Sequence, residues 1–381
     1  MDAMRKATGS IARLIRLTFT PRAWKRLIRE TRIRRQQDQA IRNFDRKTSK
    51  LIVFLVPGAD KVTGAERISG GTISITSLRE ESLQLKEVHR AEVIMSTLPN
   101  EYLLFRHKRF ANQTDVFRFT QLRQYFSHVK EVLFHLPEFT CTDFMEYIDN
   151  KDRQWMERLE KVHINVMNQN VLLMPSATEL SKLKQLAQIV TATTAHQRYC
   201  TPHYRQLYNV PLHKLSVWIS PEKYTFRKYA DKENLIVVSP DSHPMKDKVL
   251  DKLATIPGLR VQIIRNLTYE QYKSTIAQAK WALTFGEGLD GYIIEPIFSG
   301  AIAFAVYNED FFTPDFKDLS TLYPSFDHLL DVIVKDMARL DDEEVYKDYQ
   351  QEQFDLCAKY YSGQQYRENI KRFYESNYTF K

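Results

Sequence analysis

Residues 284–300 read TFGEGLDGYIIEPIFSG and contain two glutamates, Glu287 and Glu295, eight positions apart. Glu287 follows an apolar run that predicts a buried strand, and Glu295 lies among the apolar residues of the helix predicted next. Gly288 and Gly291 allow the backbone to turn tightly between them. Free N–H groups at a helix start favour phosphate, and a carboxylate can accept two hydrogen bonds from a vicinal diol such as ribose. This segment therefore predicts a site for a nucleotide-sugar, which carries both groups.

The elements around this segment alternate between strands and helices. Strands are predicted at 51–57, 92–95, 131–136, 163–167, 189–192 and 215–219, and again at 235–238, 261–265, 281–285 and 301–307. Helices are predicted through residues 78–88 and at 245–256, 269–279 and 287–299, and further helices fill 309–381. This alternation favours two open, mostly parallel sheets covered on both faces. The charged, apolar-poor residues 221–231 are the predicted linker, and a ligand is expected between the carboxyl ends of the two sheets.

The basic charge is concentrated at the N-terminus. Residues 1–50 contain 15 Lys/Arg against 4 Asp/Glu, whereas the other residues contain 40 against 43. A helix that starts at Pro21 after Thr20 would place Trp24, Leu27 and Ile28 on one face. This pattern favours contact with anionic lipid, at roughly 1 kcal/mol per Lys/Arg near the surface. Packing of the helix on the protein's own body and binding to nucleic acid stay open as alternatives.

Length and composition set the broad class. A chain of 381 residues with 43% hydrophobic residues can build two cores. It contains no run of ~20 apolar residues that could span a membrane and no pattern of a secretory signal. Three scattered cysteines, Cys141, Cys200 and Cys357, suit a reducing compartment. We therefore expect a cytoplasmic protein.

The glutamate segment resembles a known family signature. EGLDGYIIE followed by PIFSG is similar to the E-x7-E motif of retaining GT-B glycosyltransferases of the family 4-like group, typically E-G-F-G-x-x-x-x-E-A-x-x-x-G. The matching positions are Glu287, Gly288, Glu295 and Gly300. Asp290 stands where the family usually has glycine, Gly291 follows one place later, and Pro296 replaces the usual alanine.

Three further stretches resemble the same family. Residues 132–138 (VLFHLPE) are similar to its strand-end H-x-P-E, which implies that His135 lies at the cleft. Residues 191–219, with YNVP and KLSV, resemble the passage that closes the N-terminal domain. Gly70 and Gly71 stand where the family has a glycine-rich loop facing the donor phosphates. For His135 the alternative is a core histidine that is hydrogen-bonded to the backbone. For Gly70 and Gly71 the alternative is an ordinary turn before a helix.

The resemblance also implies a basic residue that neutralises the diphosphate. Residues 239–248 read SPDSHPMKDK and lack the arginine that is usual there, so Lys246 is the candidate, with Lys248 and Arg265 as substitutes. The alternative for Lys246 is a solvated surface lysine. No Cys/His cluster has metal-ligand spacing and no D-x-D stands at a strand end, so neither a metal nor a cofactor is expected.

The resemblance implies a GT-B fold, with two Rossmann-like α/β domains facing each other across a cleft, a basic N-terminal helix and C-terminal helices. The expected parts are residues 1–47 as the basic segment, 48–222 as the acceptor-side domain, 223–335 as the nucleotide-sugar-binding domain, and 336–381 as helices that pack back on both. The implied catalytic residues are His135 and Glu287. The implied donor-binding residues are Gly70, Gly71, Lys246, Arg265, Gly288, Gly291, Tyr292 and Glu295.

The expected reaction is metal-independent transfer of a sugar, with retention, from a nucleotide-sugar to a glycan or lipid-linked glycan. The resemblance and the basic segment together suggest synthesis of a bacterial capsule or lipopolysaccharide at the inner face of the cell membrane, without nucleic acid. Two alternatives remain: a sugar-nucleotide epimerase of the same fold, and a non-catalytic scaffold docked on membrane or nucleic acid.

Overall fold

The computed structural model describes residues 21–67, 70–107, 114–216 and 219–381, which fold around two open sheets. The first sheet has seven strands in the order β3-β2-β1-β4-β5-β6-β7. These strands are β1 (Lys50–Val56), β2 (Glu92–Thr97), β3 (Val116–Phe117), β4 (Glu131–Pro137), β5 (Lys161–Asn168), β6 (Ile189–Thr194) and β7 (Leu212–Lys214). Each neighbouring pair in the sheet is parallel, as the alternation of strands and helices predicts.

The second sheet has five parallel strands in the order β12-β11-β10-β8-β9. They are β8 (Glu233–Val238), β9 (Arg260–Ile263), β10 (Ala279–Leu283), β11 (Ile302–Val306) and β12 (Leu322–Tyr323). In the first sheet β2 and β3 lie on one side of β1, and β4 to β7 lie on the other. In the second sheet β9 lies on one side of β8, and β10 to β12 lie on the other, so the strand order reverses in both sheets. Ligands of open α/β sheets bind beside such a reversal, at the carboxyl ends of the strands.

Helices cover both faces of each sheet. They are α1 (Pro21–Ala40), α2 (Gly70–Leu83), α3 (Lys86–His89), α4 (Phe119–Tyr125), α5 (Cys141–Tyr147), α6 (Asn150–Glu157), α7 (Ala177–Leu183), α8 (Pro202–Tyr208), α9 (Lys246–Leu253), α10 (Tyr269–Gln278), α11 (Gly291–Phe298), α12 (Phe326–Leu340), α13 (Glu343–Tyr360) and α14 (Gly363–Tyr374).

Strand β1 shows why the sheet needs a helical layer on each side. Its sequence KLIVFLV is buried from its second residue to its last. Leu51, Val53 and Leu55 pack into the core on one face, while alternate residues such as Ile52 and Phe54 pack into the core on the other. A strand with two buried faces has a continuous apolar sequence instead of an alternating one.

The chain crosses between the two sheets twice. Residues 221–231, the predicted linker, contain two short 3₁₀ turns, Pro221–Lys223 and Tyr229–Asp231. The chain then returns, because α14 packs on the first sheet, and an antiparallel bridge joins Phe380 to Leu212. The C-terminal helices therefore pack on both halves of the molecule.

Helix α1 has one face on the protein and one face in solvent. Arg29 donates to the Tyr102 hydroxyl at 2.7 Å, and Gln37 donates to the carbonyl oxygens of Leu104 and Val116 at 2.8 Å each. On the other face Trp24 is 55% exposed, and Leu27 and Ile28 are exposed to a similar extent. The packing alternative thus describes one face of the helix, and the apolar side chains Trp24, Leu27 and Ile28 are exposed on the other.

Several element boundaries differ from the sequence predictions. The strand predicted at 215–219 is wrong in position, since β7 ends at Lys214. Residues 217–218 lie outside the described residues. The predicted N-terminal helix stops at Ala40, a 3₁₀ turn follows, and Phe44 is extended. Thr20 and the rest of residues 1–20 also lie outside the described part of the chain. The helix predicted through residues 78–88 is divided, because α2 ends at Leu83 and α3 begins at Lys86.

Within the part of the chain that the structure describes, no helix is both long and apolar enough to cross a lipid bilayer.

Candidate functional site

A cavity of about 520 Å³ lies between the two sheets. Its walls are the start of α2 on one side and, on the other, the loops that follow β8, β9 and β10. It is lined by Gly70, Ile73, Asp241, Ile264, Arg265, Asn266, Leu267, Thr268, Tyr269, Tyr272, Gly286, Glu287, Asp290, Gly291, Tyr292 and Glu295. This is the position at which open α/β folds bind ligands.

Three helices begin at this cavity. Gly70 is the first residue of α2, Thr268 caps the start of α10, and Asp290 caps the start of α11. The first N–H groups of a helix have no partner within the helix and carry partial positive charge. Together they favour an anion such as a phosphate within the cavity.

Glu295 is the most enclosed carboxylate of the site. It lies one turn into α11, is 7% exposed, and has an Oε2 atom without a hydrogen-bond partner among the described residues. A Cβ on Gly291 would stand 2.8 Å from its Oε1, so a larger residue at position 291 would displace this carboxylate from its present position. Burial raises the pKa of Glu295 to about 8; the nearby Tyr224 hydroxyl lowers it, the charge of Asp290 raises it further, and the Tyr272 hydroxyl lowers it. A buried acceptor of this kind requires a ligand hydroxyl or a proton.

Glu287 lies in the loop after β10 and is exposed. Its Oε1 accepts a hydrogen bond of 2.5 Å from Nδ2 of Asn170, which lies in the loop after β5 in the opposite domain. The surrounding protein and the charge of Asp241 raise the pKa of Glu287, while the Asn170 hydrogen bond lowers it. The predicted glutamate pair thus lines one cavity, with Glu287 at the domain junction and Glu295 deeper in the C-terminal half.

Asp290, the departure from the family pattern, has a local explanation. Its extended backbone and its Oδ1, which accepts from the N–H of Tyr292 at 2.8 Å, make it the N-cap of α11. Its Oδ2 and that of Asp241 both lie within 3.0 Å of the position that a Cβ on Gly286 would take. Burial, followed by the charge of Asp241, raises the pKa of Asp290 to about 7. Two carboxylates therefore lie close together at the cavity wall.

The structure distinguishes between the proposed cations. Arg265 lines the cavity and donates to the carbonyl oxygen of Pro240 at 3.3 Å. Lys246 is 6% exposed, and its Nζ donates to the carbonyl oxygens of Ser239 and Asp241 at 2.6 and 2.7 Å. The prediction that Lys246 faces a diphosphate is therefore corrected, since its ammonium group is already occupied by the backbone. Lys248 is exposed and also does not line the cavity.

His135 is not at the cavity. It lies inside β4, is 0% exposed, and stacks on Phe54 with ring centroids 4.4 Å apart. Its Nδ1 pairs with the Asn165 amide at 3.1 Å, and its Nε2 has no partner among the described residues. Burial lowers the pKa of His135 well below its usual value. The prediction of a histidine at the cleft is thereby corrected to a core histidine, packed between β1 and α14.

Of the remaining predicted site residues, some line the cavity and others do not. Gly70 and Tyr292 line the cavity with Glu287, Gly291 and Glu295, whereas Gly71 and Gly288 do not. Gly288 instead has φ +128°, and a Cβ there would stand 2.6 Å from the Phe312 ring. Its role is to let the loop turn against that ring.

The sequence did not predict three residues that form aromatic and acidic parts of the cavity wall. Tyr269 and Tyr272 lie on the first turn of α10, and Asp241 follows β8. All three stand just beyond the carboxyl end of a strand of the second sheet. That position alone could have selected them as cleft residues.

Searches with the sequence find no match to any protein-family model. Nor does any curated protein match. The fold does match solved structures. One is Anabaena HepE in complex with UDP and glucose, with 10% identity, a TM-score of 0.53, and coverage of 86% of this chain and 99% of that one. Another is sucrose-phosphate synthase from Thermosynechococcus elongatus, with 10% identity, a TM-score of 0.54, and coverage of 86% and 98%. At this identity the likeness concerns the fold, which is the expected GT-B arrangement of two Rossmann-like domains across a cleft.

Proposed function

We propose that this protein transfers a sugar from a nucleotide-sugar to a hydroxyl acceptor, with retention of configuration and without a metal or a cofactor. The observation that carries the proposal is the placement of Glu287 and Glu295 in one cavity where three helices begin. One ligand that satisfies all of these groups contains a ribose, a diphosphate and a sugar. The structures similar in fold include one of Anabaena HepE in complex with UDP-glucose, which supports a UDP-sugar as the first donor to test.

The donor would lie with its ribose hydroxyls on the carboxylate of Glu295, whose buried Oε2 has no partner among the described residues. The diphosphate would lie against the helix starts at Gly70 and Gly291, with Arg265 as the charged side chain. As the glycosidic bond breaks, negative charge grows on the diphosphate, and these fixed N–H dipoles stabilise it without reorganising. Glu287, at the domain junction, would bind hydroxyl groups of the donor sugar.

The acceptor side of the proposal includes the membrane. Trp24, Leu27 and Ile28 form an uncovered apolar face on the basic helix α1. Helix α1 is fastened to the loops that follow β1 and β2, at the carboxyl edge of the first sheet. An acceptor linked to lipid, as in capsule or lipopolysaccharide synthesis in the cytoplasm at the inner face of the membrane, would then meet the cleft from the membrane surface.

The membrane component is tested with the double substitution Trp24→Ala and Leu27→Ala. We expect the variant to lose binding to phosphatidylglycerol vesicles, because the apolar face and its arginines act together on anionic lipid. The substitution Val62→Ala, at an exposed apolar residue away from this helix face, is the control. Equal vesicle binding by the double variant and the wild type would contradict the membrane proposal.

The donor site is tested by calorimetry with UDP and by assays with a panel of UDP-sugars. Above pH 8, where Glu295 is ionised, Glu295→Gln should weaken UDP binding by roughly tenfold or more, because a charge-assisted hydrogen bond to the ribose is lost. Glu287→Ala should leave UDP binding within about threefold and abolish transfer, because UDP has no sugar to contact it. Glu270→Gln on the exposed start of α10 is the matched control.

Two results would redirect the proposal. Full transfer activity in both the Glu287 and the Glu295 variants would exclude these carboxylates as donor ligands. Isomerisation of the UDP-sugar without an acceptor would identify an epimerase. NMR of the product's anomeric configuration tests retention directly.

A further inference from the structure

The loop that carries Glu287 forms a hydrogen bond with a side chain of the opposite domain, Asn170. Asn170 follows the end of β5, and its Nδ2 donates to Oε1 of Glu287. Its Oδ1 accepts from the main-chain N–H of Leu172 at 2.9 Å. A main-chain N–H can only donate, so the amide oxygen must face Leu172 and the amide nitrogen must face Glu287. The direction of the hydrogen bond between the domains is thereby determined.

The position of Asn170 is set by a buried carboxylate beneath it. Glu138, directly after β4, is 4% exposed, and its Oε1 accepts the main-chain N–H of Asn170 at 3.0 Å. Strands β4 and β5 are neighbours in the sheet, so this bond joins the two strand ends. Asn170 is therefore placed by the core of the N-terminal half and not by its own exposed loop.

A second contact between the domains supports the other side of the Glu287 loop. The Tyr199 hydroxyl donates to Oδ1 of Asp310 at 3.2 Å, and the His196 ring meets the Phe311 ring edge-on at 5.4 Å. Phe311 and its neighbour Phe312 pack against Gly288, the residue after Glu287. Contacts that depend on the relative placement of the two domains thus lie on both sides of this loop.

We propose that Asn170 is a positioning residue that holds the Glu287 carboxylate in its working orientation only while the two domains face each other. An exposed glutamate has several rotamers, and a hydrogen bond from a fixed partner selects one of them. Domain closure would then complete the donor-sugar site in the same step that encloses it. The functional part of this inference rests on the proposed role of Glu287, whereas the contact between the domains is independent of that role.

The contact is tested by the distance between the domains. Nitroxide labels on Glu160→Cys and Glu343→Cys, both exposed, report the separation, because the natural cysteines are buried. In this background Asn170→Asp places a carboxylate against Glu287, and we expect the label distances to lengthen. Adding Glu287→Gln reverses donor and acceptor, and we expect it to restore the original distances. Leu172→Ser, at an exposed side chain of the same loop, should change nothing.

Turnover separates this inference from the proposed function. In the unlabelled protein, Asn170→Asp should lower kcat with a UDP-sugar by roughly tenfold or more while UDP affinity stays within about threefold. If the wild type turns over no UDP-sugar, the proposed function fails, and the label distances still decide whether the contact exists. Unchanged distances in Asn170→Asp, or no restoration by Glu287→Gln, would overturn the inference. Unchanged kcat together with lengthened distances would overturn the positioning role.

Discussion

Two groups of buried ionisable side chains lie in different halves of the molecule. In the C-terminal half, Glu295 and Asp290 line a cavity of about 520 Å³. In the N-terminal half, His135, His163 and His213 pack around the ring of Phe373, with centroids 5.5 to 5.9 Å away, beside a cavity of only about 50 Å³. We call the second group the histidine core.

His213 and Glu295 differ in how their polar atoms are satisfied. His213 accepts the N–H of Thr379 at Nδ1 and bonds to the Asn369 carbonyl through Nε2, so both of its nitrogens have partners within the protein. Glu295 lines the cavity, and its buried Oε2 has no hydrogen-bond partner among the described residues. A buried polar group with internal partners stabilises the fold, whereas one that lacks them beside a cavity is a candidate for binding. Burial alone does not distinguish the two cases.

The largest effect we expect is on the histidine core. Phe373→Ala removes the ring on which three histidines pack and should lower the free energy of unfolding by about 3–5 kcal/mol. The UDP affinity of the protein that remains folded should be unchanged, because Phe373 does not line the cavity. Denaturant unfolding and calorimetry measure the two quantities. The exposed Phe139 provides the control, since Phe139→Ala should change stability by less than about 0.5 kcal/mol.

The second-largest effect concerns how stability depends on pH, and we expect it to have opposite signs for His213 and Glu295. Burial lowers the pKa of His213 from 6.5 to about 4, so its contribution to stability is complete above pH 6.5 and is lost as the pH falls towards 4. The loss amounts to roughly 3 kcal/mol. Burial raises the pKa of Glu295 from 4.5 to about 8, so its contribution is complete below pH 4.5 and is lost as the pH rises towards 8.

Each dependence can be removed separately. His213→Asn should make the acid limb of the stability profile shallower, and Glu295→Gln should make the alkaline limb shallower, as measured by denaturant midpoints across the pH range. If Glu295→Gln left the alkaline limb unchanged, the carboxylate would not be buried as described. Flattening of both limbs by one substitution would show that the two groups are not independent.

The sequence predicted the strands far better than the side-chain roles. Long apolar runs such as residues 51–57 identify a strand buried on both faces, whereas Val116–Phe117 and Leu322–Tyr323 are too short to show any periodicity. The glutamate spacing correctly brought Glu287 and Glu295 to one cavity. The helix predicted at 287–299 begins only at Gly291, so Glu295 lies one turn into it and not further along.

The misassigned residues share a physical cause. His135 matches a motif, but its neighbours on β4 are buried on both faces of the sheet, so its side chain had to enter a core. Lys246 stands at a suitable place in the sequence, but whether its ammonium group meets a ligand or a main-chain carbonyl depends on the path of the loop 239–245. Local sequence does not specify such paths. Asn170 lies in a loop without any motif, and its contact with Glu287 exists only once both domains are built.

The smallest effect compares the two cations beside the cavity. Lys246→Met removes two hydrogen bonds from a charged donor to the backbone and should lower the free energy of unfolding by about 1.5–3 kcal/mol. UDP affinity should fall only to the extent that the loop after β8, which these hydrogen bonds hold, becomes more mobile. Arg265→Met should leave the thermal midpoint nearly unchanged, because this side chain is largely at the surface. It should weaken UDP binding by roughly fivefold to thirtyfold, because a charge beside the phosphates is lost.

The pair of variants separates a phosphate ligand from a structural lysine more clearly than either does alone. Salt provides a further distinction, because the Arg265 contribution to UDP binding should shrink as ionic strength rises and screens the charge. The Lys246 contribution should not, since its hydrogen bonds to Ser239 and Asp241 are buried. If Lys246→Met weakened UDP binding with a steep salt dependence and left stability unchanged, the diphosphate would lie on Lys246 after all. The loop after β8 would then have to open on donor binding.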